Sequence, residues 1–263
     1  VPTRDVIAYE ERGAGESLVL VHGHPFNRSM WLPQTEALGS DFRVIAVDLP
    51  GYGESKPRSE VMTMRSLADA VVELFDQLAI ERAIVIGLSM GGLVTMELGL
   101  GYPDRVNGLV LAATTADPVA AGEAEAREAT ARVALERGML PLAAEMIVQL
   151  FGPRAARDRA LVLKLFEMML STSPAGAAAA LRGRAERPDY SALLRSLTVP
   201  TLVISGDHDT YSPEPVIRRL LDALPTPTLV RCHESGHLPN IEEPERFNEA
   251  VREFASQLAT KGR

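Results

Sequence analysis

Ala83-Ile84-Val85-Ile86-Gly87-Leu88-Ser89-Met90-Gly91-Gly92-Leu93-Val94 is the stretch whose reading decides the fold. Its first half is continuously apolar and β-branched, as in a strand buried on both faces. Its second half reads as the start of a helix. Between them stands Gly-x-Ser-x-Gly, where Gly87 and Gly91 leave room for a strained turn that lifts the Ser89 hydroxyl clear of the backbone. The bare pattern is common; a strand before it and a helix after it make it specific. A serine so presented is placed to attack a carbonyl carbon, and Ser89 is the candidate nucleophile.

Outward from this turn, strand-like runs at 5–11, 17–23, 42–48, 106–112, 199–206 and 228–232 alternate with helical patterns at 31–39, 64–78, 213–223 and 243–258. The segment 64–78 carries apolar residues at 67, 68, 71, 74, 75 and 78, one face of a helix. Such alternation predicts an α/β fold on a mostly parallel sheet. The rhythm changes after Thr115. Residues 118–196 contain no strand and divide into four helical pieces, interrupted at Gly138, at Gly152 and at the cap-like Ser173-Pro174. The expected organisation is a core of residues 1–117 and 197–263 with a helical cap, or lid, of residues 118–196, where substrate choice resides.

A serine hydroxyl needs a base and a group that orients the base. Of the five histidines, at 22, 24, 208, 233 and 237, His237 lies in the permissive loop Glu234-Ser235-Gly236-His237-Leu238-Pro239 after the last strand and is the candidate base. The acid belongs at the carboxyl end of a neighbouring strand. Gly206-Asp207-His208-Asp209 offers two, Asp207 and Asp209, which the residues alone barely separate; Asp117 and Glu234 are remoter. An oxyanion hole needs two preorganised donors. The Met90 N–H, at a helix N-terminus, is one. The other falls in His22-Gly23-His24-Pro25, and because Pro25 has no N–H the donor is His24, whose side chain is expected to face the pocket.

The cap offers Met139, Met146, Met168 and Met169, either as an adaptable apolar lining of the substrate pocket or, by helical spacing, as cap core. The run Arg182-Gly183-Arg184-Ala185-Glu186-Arg187 is a solvated face or the source of one arginine for a substrate carboxylate. Asp48 to Ser55 looks like a phosphate loop without its lysine, so its glycines serve to turn the chain.

Composition narrows the partners. The 263 residues carry a net charge of −8, with 46% apolar and 24% charged residues. There is no basic stripe interleaved with aromatics, which excludes nucleic acid. One cysteine, Cys232, permits neither an internal disulfide nor a thiolate metal cluster. No apolar run reaches about 18 residues and no leader is visible, so no membrane association and a cytoplasmic location are expected. No cofactor and no metal are expected. The partner is a small-molecule substrate; monomer and homodimer stay open.

His22-Gly23-x-Pro25 with Trp31, Asp48-Leu-Pro-Gly51-Tyr-Gly53-Glu-Ser55, Gly87-Leu-Ser89-Met-Gly91-Gly92, Gly206-Asp-His-Asp209 with Pro213, and Gly236-His237 followed by Glu242 and Pro244 together resemble the α/β-hydrolase superfamily over almost the whole chain. The nearest flavour is the small bacterial capped group of serine esterases, cofactor-free perhydrolases and 3-oxoadipate enol-lactone hydrolases. The resemblance implies a sheet of the eight-stranded type with its first strand short or absent, and a triad of Ser89, Asp209 and His237, preferring Asp209 to Asp207. It also implies Met90 and His24 as oxyanion donors. The implied activity is cleavage of a carboxylic ester or lactone through an acyl-serine intermediate, without a cofactor. Enol-lactone hydrolysis of an acidic substrate, carbon–carbon bond hydrolysis and peroxyacid formation are alternatives, with a non-catalytic receptor furthest away. Serine at 89 excludes the aspartate-nucleophile dehalogenases of this fold. His24 departs from the aromatic residue often found at that position.

Overall fold

The computed structural model describes residues 6–261. Seven strands lie among them: β1 Tyr9–Arg12, β2 Ser17–Val21, β3 Arg43–Val47, β4 Ala83–Leu88, β5 Val106–Ala112, β6 Thr201–Gly206 and β7 Pro227–Cys232. They form one sheet in the order β1-β3-β2-β4-β5-β6-β7. Only β1 runs antiparallel, against β3; all other pairs are parallel. The first strand is shorter than the run from Asp5 suggests. Asp5 lies outside the described residues, and Ala8 is held instead by the Ser55 hydroxyl, which accepts its N–H at 2.8 Å.

The sheet is buried on both faces, which is why its strands read as unbroken apolar runs. Alternate residues go to opposite sides. Leu18, Leu20, Ile84 and Ile86 pack with Leu38 of α1 (Leu32–Leu38) and with Phe247, Val251 and Phe254 of the C-terminal helix (Pro244–Lys261). Val19, Val21 and Val85 pack on the other side with α2 (Met64–Gln77) and α3 (Met90–Gly101). The strand order reverses at β2, which pairs with both β3 and β4. Ligands of open α/β sheets bind at the carboxyl ends of strands at such a reversal. Ser89 follows β4 there, and His22 to Pro25 follow β2.

Between β5 and β6 stands the helical cap: α4 (Glu123–Arg137), α5 (Leu140–Ile147), α6 (Arg159–Leu170), α7 (Pro174–Ala185) and the short α8 (Tyr190–Leu193). Gly138, at φ +74°, closes α4. Helix α6 starts later than its apolar pattern suggests because Asp158 caps it, accepting the N–H groups of Ala160 and Leu161 at 3.1 Å each. Helix α5 stops before Phe151, and the chain beyond it runs to the His237 loop. Eight of the twelve residues of helix α7 are Ala or Gly, and this small-residue surface lies on the core: a Cβ at Gly176 would stand 1.9 Å from the Gly51 carbonyl oxygen. The sheet then resumes, with α9 (Glu214–Ala223) after β6 and the one-turn α10 (Pro239–Glu242) before α11, the C-terminal helix. No helix among the described residues is long and apolar enough to cross a membrane.

Candidate active site

Ser89 sits at φ +54°, ψ −113°, a conformation that costs an L-residue about 1–3 kcal/mol. The surrounding chain enforces it. The Ser89 N–H donates to the Ala112 carbonyl at 2.9 Å, and the Thr114 hydroxyl donates to the Ser89 carbonyl at 2.8 Å. A Cβ at Gly87 would lie 2.2 Å from the Gly91 carbonyl oxygen, and one at Gly91 would lie 2.2 Å from that of Val21. The two flanking glycines are therefore required by close approach between strand, turn and helix.

The turn delivers the Ser89 Oγ to His237 Nε2 at 2.9 Å. On the far side of the ring, Nδ1 is 2.9 Å from both carboxylate oxygens of Asp209. His237 and Asp209 are buried, and Ser89 is half-buried. The Asp209 carboxylate is itself fixed: Oδ1 accepts the N–H groups of Tyr211 at 2.8 Å and Ser212 at 3.1 Å, and the Ser212 hydroxyl donates to Oδ2. Burial alone would raise its pKa; the facing His237 and the Ser212 hydrogen bonds outweigh that and hold it below the usual carboxylate range. Asp207 goes elsewhere. It pairs with His233 Nδ1 at 2.7 Å and with Arg231 at 3.2 Å on the surface.

The His237 loop is anchored by residues that sequence reasoning did not assign. One Glu242 oxygen accepts the N–H groups of Gly236 at 2.9 Å and Leu238 at 3.1 Å; the other accepts that of Gly152, in the cap, at 2.7 Å. The His237 N–H donates to the Leu150 carbonyl at 2.7 Å. Burial pushes the Glu242 carboxyl upward in pKa. Glu242 was visible only as part of a motif, and its bond to Gly152 joins positions 90 residues apart.

The two proposed oxyanion amides, Met90 and His24, donate to no protein acceptor among the described residues. A Cβ at Gly23 would meet the Ser89 Cβ at 3.4 Å, so the loop after β2 lies against the nucleophile. The His24 imidazole, expected in the pocket, is turned to Tyr52, with Nδ1 2.7 Å from the phenol oxygen. Burial, with the charges of Arg184 and Arg127, drives its pKa well down, so it is neutral. His22 is also neutral in role: Nδ1 donates to the Gly23 carbonyl at 2.9 Å and Nε2 accepts the Leu49 N–H at 3.0 Å. The Asp48 loop holds no phosphate cradle. Its carboxylate accepts the N–H groups of Arg28 at 2.7 Å and Glu54 at 3.0 Å.

Ser89, Met90 and His237 open into a cavity of about 290 Å³ between core and cap, also lined by Leu93, Tyr211, Arg127, Arg184 and Arg187. Four larger surface clefts, of about 440 to 620 Å³, hold no member of the triad. The four cap methionines do not line the cavity. Met139 packs with Ala134, Leu142 and Ala177, Met146 lies against that cluster, and Met168 and Met169 join the core under the sheet. Helical periodicity turned them inward, the core alternative to a pocket lining. Arg182 pairs on the surface with Glu128 at 2.8 Å. Cys232 is buried, its thiol pushed up to about 12 by burial. No cluster of potential metal ligands occurs among the described residues.

An acid–imidazole–serine relay at the end of parallel strands, on a sharp strand-to-helix turn, defines a serine hydrolase of the α/β type. Residues 16–244 match the family model described as alpha/beta hydrolase fold, and the chain belongs to that family. It is 32% identical over 226 residues to 3-oxoadipate enol-lactonase 2 of Acinetobacter baylyi, covering 86% of this chain and 83% of that protein. It is 32% identical over 257 residues to the pimeloyl-[acyl-carrier protein] methyl ester esterase of Vibrio cholerae, covering 95% and 98%. Among solved structures, a thermophilic esterase of Thermogutta terrifontis with malate bound superimposes with a TM-score of 0.93 at 38% identity, covering 96% of this chain and 93% of that one.

Proposed function

We propose that the protein cleaves a carboxylic ester or lactone through an acyl-Ser89 intermediate. The observation that carries this reading is the unbroken relay from Ser89 Oγ through His237 to Asp209, each link 2.9 Å. Ser89 Oγ attacks the acyl carbon while its proton passes to His237 Nε2. The carbonyl oxygen, now negative, is held by the N–H groups of Met90 and His24, the first of which adds the field of the α3 N-terminus. Asp209 holds the Nδ1–H tautomer and stabilises the imidazolium. His237 then gives its proton to the departing alkoxide, which leaves as the alcohol or, from a lactone, remains tethered in the acyl chain. In the second half His237 takes a proton from water, the hydroxide attacks the acyl carbon, and the acid leaves as Ser89 recovers its proton.

Residues 118–196 act as the lid that shapes the acyl pocket, a role supported by Arg127, Arg184 and Arg187 of the cap facing Ser89 across one cavity. The relatives named as an enol-lactonase and as methyl ester esterases support the ester and lactone class. A panel of short-chain esters and lactones, assayed by proton release with wild type and Ser89→Ala, tests the reading. Turnover should vanish in Ser89→Ala; turnover retained there would overturn it.

A further inference from the structure

The cavity wall contains one arginine that no carboxylate among the described residues contacts directly. Of the three arginines that line it, Arg187 donates to Glu123 at 2.8 Å and Arg127 Nε to the same carboxylate at 2.9 Å. Asp117, also on the wall, is taken by Arg219, at 2.7 and 2.8 Å. The Arg184 guanidinium has no hydrogen-bond or ion-pair partner among the described residues, its Nε is buried, and Glu123, already engaged by Arg187 and Arg127, attracts it only from a distance. Burial and the nearby Arg127 lower its pKa to about 9, which leaves it cationic at neutral pH. Its place in the last turn of α7 gives it some compensation from the carbonyl end of the helix, but less than a full charge. An unpaired cation in such a place is costly to the fold unless an anion completes it. A second orphaned atom, His24 Nε2, is buried within the field of the same guanidinium.

We infer that Arg184 binds a carboxylate on the acyl portion of the substrate, so that the enzyme acts on small acidic esters or lactones, half-esters of dicarboxylic acids in chemical terms. The inference rests on the ester or lactone reading above and narrows it. The cavity, at about 290 Å³, lies at the low end of the range for small-molecule sites, consistent with a short dicarboxylate. The guanidinium gives paired donors in a planar fork, the geometry a carboxylate accepts in two bonds. The net charge of −8 works against anions at long range, so selectivity here depends on this local contact.

The test compares monomethyl succinate with methyl isocaproate, in which a branched alkyl end replaces the carboxylate, using proton release by the enzyme. Wild type should prefer the acidic ester. In Arg184→Met the acidic-to-neutral ratio of kcat/KM should fall tenfold to a hundredfold, mainly through KM, while Arg184→Lys should keep part of the preference. An unchanged ratio would overturn the inference while leaving the ester reading intact. A separate arm needs no turnover and no variant at 184. Calorimetric titration of succinate into Ser89→Ala should show binding that methyl isocaproate does not match and that weakens with salt. Equal binding of the two would overturn the inference even if Arg184→Met failed to fold. Loss of the ester reading itself would appear differently, as turnover surviving in Ser89→Ala.

Discussion

Asp209→Asn should reduce kcat about 10⁴-fold, and the structure says why a change of one atom does so much. Tyr211 and Ser212 both donate backbone N–H groups to Oδ1, at 2.8 and 3.1 Å. An asparagine must keep its carbonyl oxygen there, because an amide NH₂ would face two donors. Its NH₂ then takes the Oδ2 position, where the Ser212 hydroxyl can rotate to accept from it. Nδ1 is 2.9 Å from both positions, but Oδ1 already accepts two amides and an Nδ1–H would meet the hydrogens of the NH₂, so the NH₂ donates to Nδ1. The ring is held in the tautomer with its proton on Nε2, which faces Ser89 Oγ and cannot accept its proton. A wrong tautomer of this kind costs about 10⁴ in rate, or about 5.4 kcal/mol of barrier. Asp207→Asn breaks only exposed pairs with His233 and Arg231 and should stay within about twofold of wild type. Steady-state hydrolysis of a short chromogenic acyl ester measures both, with circular dichroism as the folding control. Equal losses in the two variants, or a loss under tenfold in Asp209→Asn, would refute the tautomer argument.

Glu242→Ala leaves the Gly152, Gly236 and Leu238 amides without their acceptor, at about 1–3 kcal/mol for each one left buried; a thermal melt should show a lower Tm, and kcat should fall with it because His237 lies between two of those amides. Gly176→Ala drives a Cβ to 1.9 Å from the Gly51 carbonyl, which should cost about 1–3 kcal/mol in chemical denaturation and loosen the cap. Glu123 is buried enough to raise its pKa, but Arg187, the Ala120 amide and Arg127 prevail and lower it from 4.5 to about 2. Its folded pKa lies below its unfolded one, so its stabilisation is complete above about pH 4.5 and is lost as pH falls toward 2. Glu123→Gln should therefore flatten stability against pH in that window, as read by urea midpoints.

The sheet was legible because its strands are buried on both faces, and burial leaves a continuous apolar run whichever way side chains alternate. The nucleophile was legible for a local reason: the sharp turn needs glycines at 87 and 91, and those appear in sequence. The choice between Asp207 and Asp209 was not local. It depends on which carboxylate the chain folds toward His237, and the deciding amides, from Tyr211 and Ser212, carry no side-chain signature. The cap showed as a loss of strand periodicity, but its contacts did not. Leu150 and Gly152 reach the His237 loop through backbone groups, which any sequence possesses. The methionines illustrate the same limit, since helical spacing places them on a face without saying whether that face meets cavity or core. Arg184 and Arg182 are two residues apart in one charged run, yet one faces the cavity and the other pairs with Glu128 on the surface.

Everything in the proposed reaction turns on Ser89 carrying the acyl group. The most direct measurement is mass spectrometry of the acid-quenched enzyme during turnover of a slow acyl ester, with the adduct located by peptide mapping. One acyl group should appear on the peptide containing Ser89, trapped in greater amount when deacylation is slowed and absent in Ser89→Ala. An adduct on another residue, or full turnover by Ser89→Ala, would contradict it.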